Sequence, residues 1–173
     1  MKKEGNLIKN TFILALGKIS TQFVSFLLLP LYTKILSTED YGMVDLLNVF
    51  VFLLLPIVTL SISTATFRYI IDSKSIEEKK IVVSTSLFEI LINLVLFTVI
   101  YAICSIFIKS NYVTVFYFSI VTNILSSFFL QVLRGFGYNT YYSISSFVIS
   151  FINILFNIFF IVWLKIGGVG MLY

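Results

Sequence analysis

Five long apolar stretches separated by short polar joints dominate the chain, at 11–32, 43–66, 82–108, 112–132 and 141–164. Each holds 21 to 27 residues. A helix rising about 1.5 Å per residue needs about 20 apolar residues to cross the hydrocarbon core of a bilayer. Backbone polar groups must there find partners inside the segment itself, so such spans fold as helices. The composition agrees. Of 173 residues, 59% are hydrophobic and only 12% charged, with mean hydropathy +1.04, whereas a soluble domain carries about a quarter charged residues. The sequence predicts an all-α integral membrane protein with about five transmembrane helices.

Twelve Lys and Arg stand against eight Asp and Glu, and their placement orients the chain. With a cytoplasmic N-terminus, Lys2, Lys3, Lys9, Arg68, Lys74, Lys79, Lys80 and Arg134 lie inside and only Lys34, Lys109 and Lys165 outside; Lys18 falls within the first span. Cytoplasmic loops accumulate cations, so this orientation is preferred, and the positive balance calls for no nucleic-acid partner. The opening MKKEGNLIKN is not read as a signal peptide. The apolar run behind it is too long for an h-region and ends in LPLYTK, not in a small-residue cleavage site. The lone Cys104 excludes a disulfide framework within the chain. With no His and no Cys/His cluster, neither a metal centre nor a cofactor is expected.

The joints carry their own signals. Residues 67–81 (FRYIIDSKSIEEKKI) read as a short cytoplasmic loop with a helical turn. Residues 33–42 (TKILSTEDYG) place Ser37 or Thr38 before acids and an apolar helix, a capping signature. Residues 109–111 form a tight outer turn, and 134–140 (RGFGYNT), with two glycines and an Asn, a tight inner one. After Lys165, IGGVGMLY reads as an outer loop and the first residues of a sixth span. The chain therefore reads as the N-terminal part of a longer protein.

Polar residues inside the spans mark faces turned away from lipid. In the fifth span Ser143, Ser146, Ser150, Asn153 and Asn157 recur every three or four residues, forming one stripe. The fourth offers Ser119, Thr122, Asn123, Ser126 and Gln131. The second offers Asp45, Asn48, Thr59, Ser63 and Thr66, with a kink expected at Pro56. The first carries Lys18, Gln22 and Ser25, and the third Glu89 and Asn93. Two explanations stand for these stripes: close helix packing, or the lining of a hydrated path.

Charges at mid-span are costlier, about 2.5–3.5 kcal/mol on insertion scales. Lys18 and Glu89 each lie seven residues past the cytoplasmic start of their spans, about 10 Å deep. Gln22 and Asn93 stand one turn deeper on the same faces. The matched depths allow a Lys18–Glu89 pair between the first and third helices; otherwise Lys18 snorkels to the inner interface. Arg68 and Arg134 end their spans on the cytoplasmic side, either orienting the helices or receiving an anionic group.

The segment LIKNTFILALGKISTQFVSFLLLPLYTKILSTEDYG (7–42) resembles the opening of the Wzx-type polysaccharide and O-antigen flippases. These belong to the multidrug/oligosaccharidyl-lipid/polysaccharide exporter superfamily. The resemblance rests on Lys9 and Asn10, on Pro30, Leu31, Tyr32, Thr33 and Lys34, and on Leu36, Ser37, Glu39, Tyr41 and Gly42. A second match covers 130–170, where Gln131, Arg134 and Gly135 lead through a turn into the Asn-bearing span. Arg68 after the second span fits as well.

The resemblance implies a protein of twelve or fourteen spans in two bundles around a central cavity, of which this chain supplies most of the first. It implies movement of an undecaprenyl-pyrophosphate-linked oligosaccharide between leaflets of the bacterial cytoplasmic membrane, with no enzymatic step. Lys18, Gln22, Glu89, Asn93, Asn123, Asn153 and Asn157 are then candidates for the substrate path. Arg68 and Arg134 would attract the pyrophosphate at the inner mouth. The implied partners are membrane lipid, the lipid-linked oligosaccharide, a coupling proton or sodium ion, and the polymerase and glycosyltransferase machinery. A lipid II flippase, a cation-coupled multidrug exporter and a non-transporting scaffold subunit are the alternatives. A membrane-embedded transferase would need an acid, base or metal constellation that this sequence does not assemble.

Overall fold

A computed structural model describes residues 37–108 and 112–158, together with the single positions 19, 26, 30 and 34; for 154 and 156–158 it describes the backbone alone. Five helices follow one another among the described residues: α1 (Thr38–Thr59), α2 (Ile62–Asp72), α3 (Ile76–Phe107), α4 (Val113–Gly135) and α5 (Asn139–Ile158). No strand occurs among them, and the protein is an all-α membrane protein. Helices α1, α3 and α4 are each long and apolar enough to cross a bilayer.

The helices overrun the apolar stretches because their polar ends are capped. Ser37 caps α1: its Oγ accepts the Asp40 N–H at 3.1 Å and donates to Asp40 Oδ2 at 2.9 Å. Glu39 and Asp40 complement the positive end of the helix dipole. Ser75 caps α3 in the same way, its Oγ accepting the Glu78 N–H at 3.1 Å while Glu78 Oε2 accepts the Lys74 N–H at 2.8 Å. Most of 67–81, expected as a loop with a helical turn, is therefore helix. FRYIID completes α2, IEEKK opens α3, and only 73–75 lie between them.

The second apolar stretch is two helices, not one. Leu60 (φ 49°) and Ser61 (φ 57°) both adopt the left-handed conformation. The Ser61 N–H reaches the Pro56 carbonyl at 3.1 Å and the Leu60 N–H the Ile57 carbonyl at 3.4 Å, a Schellman ending for α1. The Ser61 carbonyl then accepts the Thr64 and Ala65 N–H groups, both at 3.1 Å, and starts α2. The kink expected at Pro56 is thus a full break four residues later. Pro56 supplies no N–H to the preceding turn, and Thr59 Oγ1 donates back to the Leu55 carbonyl at 2.7 Å, loosening the last turn further.

Helix α4 is the axis of the assembly, in contact with all four of the others. Val115 packs on Val44 of α1 near the end marked by the Tyr112–Asp40 hydrogen bond. Ile120, Ile124 and Phe128 meet Val51, Ile62, Ile90 and Leu94 in the middle. Gly135 meets Ile70 of α2 at the opposite end. So α1 covers one half of α4 and α2 the other. Outward, Phe52, Leu53 and Ile57 of α1 and Val95, Val99 and Ile103 of α3 are exposed. A continuous apolar surface of this kind requires lipid or another span to cover it.

The turn from α4 to α5 shows the inexpensive version of the same ending. Gly137 takes the left-handed position (φ 79°), while Tyr138 N–H bonds to the Leu133 carbonyl and Gly137 N–H to the Arg134 carbonyl. A Cβ at Gly137 would meet no atom within 4 Å. Gly137→Ala is therefore expected to cost only the conformational term, about 1–2 kcal/mol, read as a lowered thermal midpoint in lipid nanodiscs.

Candidate functional site

Around the break, polar groups gather near the middle of the bundle. A pocket of about 160 Å³ is lined by Pro56 and Thr59 of α1, by Ser61, Ser63 and Thr64, and by Ser127 of α4. Counting along α4 places Ser127 about 21 Å from one end of a helix about 34 Å long. Non-helical backbone at that depth is tolerated only where protein buries it or a hydrated cavity receives it. Ser63 is 7% exposed and lines the pocket. Ser61 opens α2 without a side-chain capping bond, so the first N–H groups of that helix lack a side-chain acceptor.

A larger open groove of about 800 Å³ continues from this pocket along α2, sharing Ser61 and Thr64 with it and reaching Arg68 and Asp72. The two faces of α2 explain the groove. Ile62, Ser63, Thr66 and Ile70 are buried against the bundle, whereas Ser61, Thr64, Arg68 and Asp72 recur every three or four residues on the exposed face. Thr66 is satisfied within its own helix, its Oγ1 donating to the Ile62 carbonyl at 2.8 Å.

At the Ile70–Gly135 end, cations rest on aromatic rings. The Arg134 guanidinium carbon lies 4.8 Å from the centroid of Phe67, the neighbour of Arg68, and 5.5 Å from that of Tyr142. Arg134 Nη1 donates to Gln131 Oε1 at 3.2 Å. Lys79 Nζ stands 5.6 Å from the Phe136 centroid, and Phe136, Tyr138 and Tyr141 continue the aromatic run. Among the described residues the ion pair within 4 Å is Lys80–Glu77, between exposed side chains. Among these residues Arg68, Arg134 and Lys79 carry positive charge with no carboxylate in contact. Stacking on π faces holds a guanidinium in place without neutralising it.

The other sequence-predicted residues scatter. Lys18 and Gln22 lie outside the described residues, and so does the side chain of Asn157. Glu89 is exposed on α3. Asn93, one turn on, has its Nδ2 buried with no partner. Asn123 is exposed and donates to the Ser119 carbonyl of its own helix at 2.9 Å. Asn153 is exposed on α5, whereas Ser143, Ser146 and Ser150 of the same stripe are half-buried on the side of α4. The stripe read on the second span divides as well: Thr59, Ser63 and Thr66 are buried, and Asp45 and Asn48 are exposed. Sequence reasoning missed Ser61, Thr64, Ser127, Lys79, Phe67 and Tyr142. A readable signal existed at the break, where TLSISTAT (59–66) puts five hydroxyls after Pro56.

Spans that expose apolar side chains, a discontinuous helix and a groove reaching Arg68 and Asp72 belong to a polytopic helical membrane protein. The chain belongs to the polysaccharide biosynthesis protein family, whose family model matches residues 7–173. It therefore serves polysaccharide synthesis and export at a membrane. Comparison with curated proteins and with solved structures gave no match.

Proposed function

We propose that the chain takes part in flipping an undecaprenyl-pyrophosphate-linked oligosaccharide across the bacterial cytoplasmic membrane, for capsule, O-antigen or exopolysaccharide synthesis. In this reading it is a transporter component, not an enzyme, and works by alternating access within a larger two-bundle protein. The N-terminus is cytoplasmic, which puts the Ile70–Gly135 end at the inner face. Arg134 and Arg68 meet the pyrophosphate there, and the unmet Asn93 amide offers a donor to the passing sugars. The support for this reading is the Arg134 guanidinium, stacked on Phe67 and Tyr142 with no acid in contact. Stacked on two rings and bonded to Gln131, the guanidinium keeps its charge, which suits a phosphate that arrives and leaves.

The test is reconstitution in vesicles with a lipid-linked sugar, alongside polymer output in cells. Arg134→Ala is expected to lower translocation about tenfold, the equivalent of about 1.4 kcal/mol, at unchanged protein level. Arg134→Lys should fall between, keeping the charge but losing the stacked fork. Normal translocation by the alanine variant would overturn the reading.

A further inference from the structure

We propose that the pocket at the break between α1 and α2 is a subsite for one sugar ring, that of the residue esterified directly to the phosphate. The proposal rests on the flippase reading above and adds to it a place for the sugar. Size comes first. An apolar cavity of about 150 Å³ admits one benzene ring, and this pocket is about 160 Å³, room for a single six-membered ring.

Chemistry comes second. No charged side chain lines the pocket, so neither a metal cation nor a free anion finds its counter-charge there. The polar side chains are the hydroxyls of Thr59, Ser61, Ser63, Thr64 and Ser127; Thr59 already donates to the Leu55 carbonyl, and the other four are available. Each can donate and accept, as the hydroxyls of a pyranose do. Ser63 is 7% exposed yet lines the pocket, so its hydroxyl can meet a ring hydroxyl as donor or acceptor. Leu55 and Ile124 add an apolar wall, suited to the C–H face of a sugar ring.

Connection comes third. The pocket shares Ser61 and Thr64 with the groove that leads to Arg68. Arg68 stands four residues beyond Thr64 on the same exposed face, about 6 Å along the axis. A phosphate at Arg68 would therefore deliver its sugar to the pocket. Discontinuous spans place substrate groups near the bilayer midplane in the same manner.

The experiment compares two lipids on the purified protein in nanodiscs: undecaprenyl pyrophosphate, and the same lipid bearing one hexose. The unsubstituted protein should bind the hexose-bearing lipid more tightly. Ser63→Ala combined with Ser127→Ala should weaken that lipid about five- to tenfold and leave the bare pyrophosphate unchanged. Thr64→Val, on the exposed face, should act in the same direction without disturbing the buried packing. Equal affinity of the unsubstituted protein for both lipids would mean that the pocket holds water only, and would overturn the proposal. So would variants that weaken both lipids alike or neither. If neither lipid binds the unsubstituted protein, the flippase reading falls and the subsite falls with it.

Discussion

Gly135→Leu should be among the most destabilising single changes in this chain, about 3 kcal/mol or more. Gly135 closes α4 where α2 crosses it, and even a Cβ there would stand 2.9 Å from both Cβ and Cγ2 of Ile70. Those atoms belong to a fully buried, β-branched side chain, whose Cβ is fixed to the α2 backbone and cannot swing aside. The helices must separate, and overpacking of this kind costs typically about 1–3 kcal/mol and occasionally more. Gly135→Ala tests the argument more finely. Alanine gains about 1 kcal/mol of helix propensity over glycine, so a net loss of about 1–2 kcal/mol means that the clash outweighs the gain. Thermal unfolding in nanodiscs measures both variants.

A double-mutant cycle isolates the contact. Ile70→Ala alone removes packing atoms, and lipid supplies no hydrophobic drive to hold α2 in place, so it should destabilise by itself. Combined with Gly135→Ala it opens the room that the new methyl needs. The pair should be more stable than the sum of the single changes by about 1 kcal/mol. Additive losses would mean that α2 does not rest on α4 through this pair.

How much of this was legible follows from which forces act locally. The all-α character was, because apolar runs in a membrane must satisfy their backbone groups internally. The Ser37 cap and the glycine turn at 134–140 were legible too, since both are set by residues within one turn of each other. The break was not. Pro56 announced a disturbance, but its place at Leu60 and Ser61 depends on hydroxyl competition and on α4 receiving both halves. At the site, Arg68 and Arg134 were singled out from their charge. The aromatic supports of Arg134 came from Phe67 and Tyr142, side chains that composition alone assigns to lipid. Of the pocket hydroxyls, Thr59 and Ser63 were singled out, whereas Ser61, Thr64 and Ser127 were hidden, since a serine or threonine in a membrane helix usually satisfies itself on its own backbone.

The break and the cationic end belong to one arrangement. Because α2 is a separate short helix, its exposed face need not continue that of α1. The chain can bury Ile62, Thr66 and Ile70 while turning Ser61, Thr64 and Arg68 into the groove. A continuous helix over 38–72 would carry the lipid-facing stripe of Phe52 and Ile57 onward along one side. The two left-handed residues reset that phase.

Ser61 therefore should respond with opposite signs to two substitutions. At φ 57° a residue with a Cβ is strained by about 1–2 kcal/mol, a strain that glycine does not feel. Ser61→Gly should stabilise the protein by about 1 kcal/mol, and it tests the conformation without adding bulk. Ser61→Pro forbids that conformation, since proline holds φ near −65°. It also removes the N–H that bonds to the Pro56 carbonyl at 3.1 Å, so the Schellman ending of α1 is lost. A cost of about 3 kcal/mol or more is expected. If the break exists to re-phase α2, the proline variant should also expose the Ile70 face and detach it from Gly135. With Cys104 replaced by serine, since it is free and exposed, Ile70→Cys would then label with a membrane-permeant maleimide in the proline background and stay protected in the glycine one. Equal labelling in both, or a proline variant as stable as the glycine one, would mean that 38–72 forms a continuous helix in the membrane.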